Sequence, residues 1–158
     1  MDIVDGKDEV VGQVDKEDVY KKLLCHRIVH VLIFNDEGKM ALQLRHPNLS
    51  FAPNHWSTTV GGHVQSGESY EEAAKREMME EIGIELPLEY FSKDFYQVPG
   101  RPDKFFVSYK AKYEGPFQLE EGAVVKVDYF TIDQIKSMID QGEKFHPELL
   151  YLLKKYFL

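Results

Sequence analysis

Hydrophobic positions divide the chain into short runs, some continuous or alternating as in strands and others with helical spacing. The run RIVHVLIF, at 27–34, is almost continuously apolar and predicts a buried strand. The alternating run MALQLR, at 40–45, predicts its hairpin partner across the turn at 35–38. The other predicted elements are an N-terminal hairpin and short helix within 1–25, a β-rich run at 56–60, a helix at 70–82, strands at 88–98, 104–113 and 124–130, and helices at 133–141 and 147–157.

This order of elements predicts a single domain of the α/β (α+β) class over residues 1–158. Strands interleaved with helices at the start, middle and end of the chain indicate a mixed central sheet with helices on both faces. A chain of 158 residues suits one domain. We find no repeat, low-complexity tract or flexible linker that would mark a boundary.

Charge and composition narrow the classes of function. The chain has 19 Lys and Arg against 27 Asp and Glu, a net charge of −8, which argues against a nucleic-acid polymer as partner. It has no apolar run long enough to span a membrane and no secretory signal, so we expect a soluble, cytoplasmic protein. The only cysteine, Cys25, excludes an intrachain disulfide, and we expect an inert thiol. The oligomeric state stays open, with a homodimer among the alternatives.

The segment GGHVQSGESYEEAAKREMMEEIGI, at 61–84, combines strong helix boundaries with an unusual density of carboxylates. Ser69 and Glu72 have the spacing of a capping box, which predicts that the helix begins at Tyr70. Gly83 suits the position after a helix, which predicts that the helix ends at Ile82.

Three glutamates, Glu77, Glu80 and Glu81, lie within one turn at the end of this helix. Glu77 and Glu81 are a like-charged pair four residues apart, which disfavours the helix. One interpretation is a solvated face supported by ion pairs to Arg76. The other is a site for a hard divalent cation such as Mg²⁺ or Mn²⁺, because these ions prefer carboxylate oxygens. The local pattern leaves both open.

The whole segment resembles the signature of the Nudix hydrolases, Gx5Ex7REUxEExGU, in which U is a bulky aliphatic residue. The matching residues are Gly62, Glu68, Arg76, Glu77, Met78, Glu80, Glu81, Gly83 and Ile84, with no departure from the pattern. The resemblance implies the Nudix fold, an α/β/α sandwich with a mixed sheet and a loop–helix–loop catalytic motif at 61–84. It also implies a MutT-like, metal-dependent pyrophosphohydrolase acting on a small-molecule diphosphate, most often nucleotide-derived, by attack of water on phosphorus.

The resemblance assigns roles to individual residues. Glu77, Glu80 and Glu81 would bind Mg²⁺ or Mn²⁺ and take part in catalysis, and the backbone carbonyl of Gly61 would be a further metal ligand. The residues expected to hold the shape of the motif are Gly62, Glu68, Arg76 and Gly83.

The approach to this motif, HWSTTVGGH, is similar to a segment of the isopentenyl-diphosphate isomerases, a Nudix branch that moves a double bond. Trp56 and His63 match that segment, but Gly61 stands where those enzymes have a reactive cysteine. His26 matches one of their metal-binding histidines, and with His30 and His63 it predicts a second metal site, the alternative being packed or substrate-facing histidines. We therefore expect a hydrolase of the isomerase-like branch. An isomerase, or a non-catalytic module that senses a nucleotide, remains as an alternative.

Residues outside the motif suggest where substrate binds. Arg45 ends a strand next to a proline-bounded loop and is a candidate for contact with phosphate. Phe51 and Trp56 are candidates for stacking on a base or covering an apolar group, and the alternative for Trp56 is packing in the core.

By the family resemblance, Glu120 and Glu121 are candidates for a late catalytic carboxylate. Phe145 and Pro147 resemble an element of the isomerase-like branch that would anchor the last helix.

Overall fold

The computed structural model describes all residues, 1–158. It contains nine strands and four helices. The strands are β1 (Asp2–Val4), β2 (Val10–Gln13), β3 (His26–Phe34), β4 (Met40–Arg45), β5 (Trp56–Thr58), β6 (Val60–His63), β7 (Glu89–Tyr96), β8 (Lys104–Lys112) and β9 (Val124–Phe130). The helices are α1 (Lys16–Lys21), α2 (Tyr70–Ile82), α3 (Ile132–Asp140) and α4 (Pro147–Tyr156).

Strand β3 is the centre of a mixed seven-stranded sheet. It pairs in parallel with β8 along its whole length and antiparallel with β6. Strand β7 continues the sheet antiparallel to β8, while β4 carries β5 and β9 as its partners. A separate two-stranded hairpin consists of β1 and β2. The predicted mixed sheet of the α/β class is therefore confirmed.

Alternation along β3 sends successive side chains to two different cores. Val29, Val31 and Ile33 pack with the apolar side of α2 in the larger core, because successive residues of a strand point to opposite faces. Ile28, on the other face, packs with Leu152 of α4. Helices thus cover both faces of the sheet, and the cleft described below lies between the start of α4 and the end of α2.

The helix-boundary predictions are confirmed. The Ser69 hydroxyl accepts from the backbone N–H of Glu72, whose carboxylate accepts in return from the N–H of Ser69. Gly83 ends the helix in the left-handed conformation, at φ 73°, where glycine has no side chain to strain. The same reciprocal pair caps α3 at Thr131.

The predicted hairpin of β3 and β4 is only partly correct. The two strands pair at one position, Phe34 with Met40, next to their turn. Beyond it they diverge because β3 takes β6 and β8 as partners while β4 takes β5 and β9. This divergence opens the sheet beside β6.

The N-terminal hairpin is fastened to the main domain through Asp8. The carboxylate of Asp8 accepts hydrogen bonds from Arg27 at 2.7 Å, from Tyr70 at 2.7 Å and from Lys93 at 2.6 Å. These partners lie on β3, α2 and β7, so one carboxylate connects three elements. None of the four helices has the length and apolar composition needed to cross a membrane.

Candidate active site

Helix α2 carries its apolar and acidic residues on different sides. The buried residues are Ala73, Ala74, Met78 and Ile82. They fix the helix against the sheet, since they belong to the larger core. Glu77, Glu80 and Glu81, called the acidic cluster below, project from the remaining surface near the end of the helix.

Two consecutive glycines on β6 receive two members of the acidic cluster. The backbone N–H of Gly61 donates to Oε2 of Glu81 at 2.9 Å. At Gly62, a Cβ atom would lie 2.3 Å from the carboxyl carbon of Glu77, a distance that no real side chain occupies. The missing side chain at Gly62 therefore lets the Glu77 carboxylate approach the strand, while the backbone N–H of Gly61 holds the Glu81 carboxylate.

Arg76 connects the acidic cluster to the loop before the helix. Its Nε donates to Glu68 at 2.6 Å, and its Nη1 donates to Glu77 at 3.0 Å. Its Nη2 donates to the backbone carbonyl of His63 at 3.0 Å. The hydrogen bond to Glu68 is the main cause of a pKa for Arg76 above its usual range. Arg76 and Glu68 thus lie where they can hold the shape of the motif, as the signature implies.

Burial makes the acidic cluster electrostatically unfavourable in the protein alone. Burial raises the pKa of Glu81 well above its usual value, and the carboxylates of Glu77 and Glu120 raise it further, while the N–H of Gly61 lowers it. Burial also raises the pKa of Glu77, and Arg76 opposes this shift. Glu81 has no basic side chain as an ion-pair partner.

The chemistry of these donors fits a hard divalent cation. Carboxylate oxygens are the preferred ligands of such ions, and a cation beside Glu77 and Glu81 would remove the cost of burying two like charges. Gly62 leaves the space in which the Glu77 carboxylate sits. No three acidic, histidine or cysteine side chains already converge on one point. Glu80, whose side chain is 57% exposed, accepts a hydrogen bond from Nη1 of Arg76 at 3.3 Å, so it would have to leave Arg76 to join Glu77 and Glu81 at an ion.

A polar cleft of about 500 Å³ lies next to the acidic cluster. Its lining residues include Lys16, Tyr20, His30, Arg45, Phe51, Thr58, Gly61, Gly62, His63, Glu81, Arg101, Lys104, His146 and Glu148. Four of these are basic, which suits an anionic ligand although the whole chain carries a charge of −8.

A buried ion-pair network occupies the opposite wall of the cleft. The Nε2–H of His30 donates to Glu148 at 3.0 Å, and the ammonium of Lys104 donates to the other oxygen of Glu148 at 2.9 Å. Nδ1 of His30 lies 2.9 Å from the hydroxyl of Thr58. Although burial alone would raise it, the hydrogen bond from His30 and the charge of Lys104 hold the pKa of Glu148 well below its usual range.

Of the two alternatives for His26, His30 and His63, the structure favours packed histidines over a second metal site, because the three side chains do not converge on one point. His30 faces Glu148, whereas His26 and His63 stack on each other with ring centroids 5.5 Å apart. Nε2 of His63 lies 2.6 Å from the hydroxyl oxygen of Tyr20, and Nδ1–H of His26 donates to the carbonyl of Leu24 at 3.0 Å. Burial lowers the pKa of His26 to about 4 and of His63 to about 3. These are packed, neutral histidines, which was the alternative.

Arg45 and Phe51 line the cleft as predicted, but Arg45 is already engaged. Its guanidinium donates to the backbone carbonyls of Ala52 at 3.0 Å and Phe51 at 2.8 Å. The ring of Phe51 lies under the guanidinium of Arg101, 4.3 Å from the ring centroid. Arg45 therefore shapes the loop that presents Phe51, and Arg101 is an additional cationic residue at the mouth of the cleft.

Trp56 packs in the core, which was the alternative to contact with substrate. Its side chain is 7% exposed and packs in a separate core, edge-on to Phe130. Its backbone accepts from the N–H of His146 at 2.7 Å and forms a bridge with Phe145. Trp56 is thus part of the packing that anchors α4, together with Phe145, for which that role was predicted.

Two further predictions concern Cys25 and Glu120. Burial raises the pKa of the Cys25 thiol to about 11, so the thiol stays protonated near neutral pH, as expected of an inert cysteine. Glu120 adds negative potential at Glu81, which places it near the acidic cluster. Its role as a catalytic carboxylate stays a prediction.

Sequence reasoning missed Lys104 and Glu148. They are 44 residues apart, and Glu148 is 118 residues from His30, so no local spacing connects them. The available signal was a glutamate directly after Pro147, in the otherwise apolar segment PELLYLL, where a buried charge demands a partner.

Comparisons with known proteins agree with this geometry. A family model described as the NUDIX domain matches residues 25–153. The chain belongs to the Nudix family. It is 31% identical over 159 residues to the uncharacterized Nudix hydrolase YfcD of Salmonella typhi, covering 97% of this chain and 82% of that protein. It is 29% identical over 163 residues to a Nudix hydrolase of Deinococcus radiodurans, covering 99% of this chain and 93% of that protein.

Solved Nudix structures have the same fold. The crystal structure of DR0079 from Deinococcus radiodurans superposes with a TM-score of 0.87 at 26% identity, over 99% of this chain and 98% of that one. A MutT protein from Methanosarcina mazei Go1, at 19% identity, matches with a TM-score of 0.69 over 83% of this chain and 91% of that one, which shows the fold alone. The protein is accordingly a Nudix hydrolase, a class whose members generally use divalent metals.

Proposed function

We propose that this Nudix hydrolase cleaves a nucleoside-diphosphate-linked small molecule, by attack of water on phosphorus, with Mg²⁺ or Mn²⁺ as cofactor. The observation that carries the proposal is the position of Glu77 and Glu81 against Gly61 and Gly62, at the edge of a cleft lined by basic side chains. The motif residues hold the ion, and the cleft holds the anionic substrate.

Each wall of the cleft has a separate part in this proposal. Glu77, Glu80 and Glu81 hold the divalent ion, which supplies Lewis-acid activation of water and of the phosphoryl group when it is bound. A carboxylate beside the ion, from this cluster or from a nearby loop, accepts the proton of the attacking water. Arg101, at the mouth and without a carboxylate partner, contacts the substrate's phosphate oxygens.

The cleft favours a polar substrate over an isoprenoid diphosphate. Of the 18 residues lining it, 3 are hydrophobic, which leaves little apolar surface for a hydrocarbon chain. Phe51 and His146, whose rings meet edge to face with centroids 5.4 Å apart, provide a small aromatic surface for a base. Position 61 has no thiol, so the acid–base pair of an isomerase is incomplete there. We infer that the chain catalyses hydrolysis and not isomerisation, and its place in the isomerase-like branch is part of this proposal.

A turnover assay tests the proposal. The purified protein is incubated with ADP-ribose, dinucleotides, nucleotide sugars, coenzyme A, nucleoside diphosphates and triphosphates, and isopentenyl diphosphate, each with Mg²⁺, with Mn²⁺ or with EDTA, and products are identified by mass. We expect metal-dependent cleavage of a nucleotide derivative, lost in Glu81→Gln and kept in Glu71→Gln, a matched change on an exposed part of the same helix. Isomerised isopentenyl diphosphate, or nucleotide binding without turnover, would overturn the proposal.

A further inference from the structure

A continuous chain of contacts runs from the first turn of α4 to the glycine beneath the acidic cluster. It passes from Glu148 to His30 and from His30 to Gly61, whose N–H holds Glu81. Glu148, His30 and Gly61 all lie outside the Nudix signature, which begins at Gly62. The ion-pair network of Glu148 is therefore in contact, through His30 and Gly61, with the acidic cluster.

His30 is fixed on every side. Its two ring nitrogens are bonded to Glu148 and Thr58, at 3.0 and 2.9 Å. Its ring packs edge to face on Phe106 with centroids 5.2 Å apart, and the residue is 4% exposed. Glu148 is itself fixed by Lys104 at 2.9 Å. The imidazole consequently has no alternative position that keeps these bonds.

Gly61 rests directly on this fixed ring. Gly61 and His30 are partners across the β3–β6 pair. A Cβ atom at Gly61 would lie 3.0 Å from Nδ1 of His30 and 3.2 Å from the hydroxyl of Thr58, closer than side chains normally pack. The backbone of Gly61 is thus confined between the imidazole on one side and the Glu81 carboxylate on the other, at 2.9 Å from its N–H.

We propose that His30, held by Glu148 and Thr58, is a positioning residue that sets the backbone of Gly61 and, through it, the carboxylate of Glu81. The inference rests on the proposed function in one respect, that Glu81 serves as a ligand of the divalent ion. Partners beyond the ligand shell of a metal typically change its affinity by about 10- to 100-fold when they are removed. We therefore expect that breaking this chain of contacts changes the metal affinity more than it changes kcat at saturating metal.

A substitution at Thr58 can remove one hydrogen bond to the His30 ring without changing the ion pair on its other side. Thr58→Val keeps the shape of the side chain but removes the hydroxyl at Nδ1, leaving Glu148 and Lys104 untouched. Thr58→Ser restores the hydroxyl. The matched control is Thr59→Val, because the Thr59 hydroxyl also makes one buried hydrogen bond, to the carbonyl of Ala41 at 2.8 Å, but does not touch His30. Loss of stability alone would act alike in both valine variants.

The measurements are Mn²⁺ affinity by electron paramagnetic resonance and the split of kinetics into metal activation constant and kcat. We expect Thr58→Val to weaken Mn²⁺ binding about tenfold, with kcat at saturating Mn²⁺ changed far less. We expect Thr58→Ser to recover most of the affinity and Thr59→Val to bind Mn²⁺ like the parent protein. Equal affinity in Thr58→Val and the parent, or equal losses in the two valine variants, would overturn the inference.

The amide resonance of Gly61 in metal-free protein separates this inference from the proposed function. It should shift in Thr58→Val and stay in place in Thr59→Val, whatever the protein hydrolyses. If the parent protein neither binds Mn²⁺ nor turns over any diphosphate while this pattern holds, the proposed function fails and the positioning of Gly61 stands. If the parent binds Mn²⁺ and is active but the Gly61 resonance is unmoved in Thr58→Val, the positioning role fails and the function stands.

Discussion

Two buried glutamates face the same cleft and have opposite electrostatics. Glu148 is bonded to His30 and Lys104, and these partners hold its pKa well below the usual range despite its burial. Glu81 is bonded only to a backbone N–H and stands among other carboxylates, so burial raises its pKa. Burial acts to raise the pKa of both carboxyl groups, and the neighbouring charges decide whether the net shift is upward or downward. The protein neutralises the charge of Glu148 with its own side chains, whereas neutralising the charge of Glu81 requires a cation from solution.

The largest expected difference between the two glutamates is in activity. Glu81→Gln should lower metal-dependent kcat by about 10³-fold, because it removes a charged ligand of the ion that activates the water and the phosphoryl group. In metal-free protein the same change should leave the melting temperature unchanged or raise it, because it removes a buried charge without a partner. Kinetics with Mn²⁺ and thermal unfolding in EDTA check both halves. A stability loss without an activity loss would mean that Glu81 is structural.

Glu148→Gln should have the opposite profile. Removing one partner of a buried ion pair leaves Lys104 uncompensated, which costs about 3 kcal/mol of unfolding free energy. Denaturant unfolding in EDTA measures this loss. The double change Glu148→Gln with Lys104→Met removes both charges and should recover part of the stability. If the double variant is no more stable than the single one, the pair is not the source of the loss.

A methyl group at Gly62 tests the approach of Glu77 to the strand. Gly62→Ala would place its Cβ 2.3 Å from the carboxyl carbon of Glu77, so that carboxylate must move. We expect Mn²⁺ affinity to fall by about tenfold, since the ligand shell is disturbed. Gly6→Ala is the control, as nothing lies within 4 Å of the added atom there. An unchanged affinity in Gly62→Ala would remove Glu77 from the metal site.

The smallest expected effect concerns His146, which caps α4 by accepting from the N–H of Glu148. Burial lowers its pKa from 6.5 to about 4. A neutral histidine with a depressed pKa contributes stability above pH 6.5 that is lost as the pH falls toward 4, because the unfolded state takes up the proton first.

His146→Asn keeps a capping oxygen and removes this titration. Its unfolding free energy should therefore fall less steeply than that of the parent between pH 6.5 and 4. Denaturant unfolding at several pH values measures the slopes. Identical slopes would assign the acid sensitivity to other groups.

The acidic side of the cleft was predictable because its information is local. Ser69, Glu72 and Gly83 define the helix by short-range spacing, and the signature fixes the glutamates relative to one another. The paired side was not, because Glu148 meets His30 only through the packing of α4 on the sheet. The sequence left Trp56 either at the substrate or in the core, and its packing against Phe130, a long-range contact, decides for the core.

The close packing of Gly61 on His30 also affects which substitutions this chain can accept during evolution. A cysteine or any other side chain at position 61 would meet the imidazole and the Thr58 hydroxyl within 3.2 Å. A substitution there requires the imidazole or the Thr58 side chain to shift by a few tenths of an ångström, which their mutual hydrogen bond opposes. The same replacement should therefore be less costly in a background where residue 30 or residue 58 is already smaller.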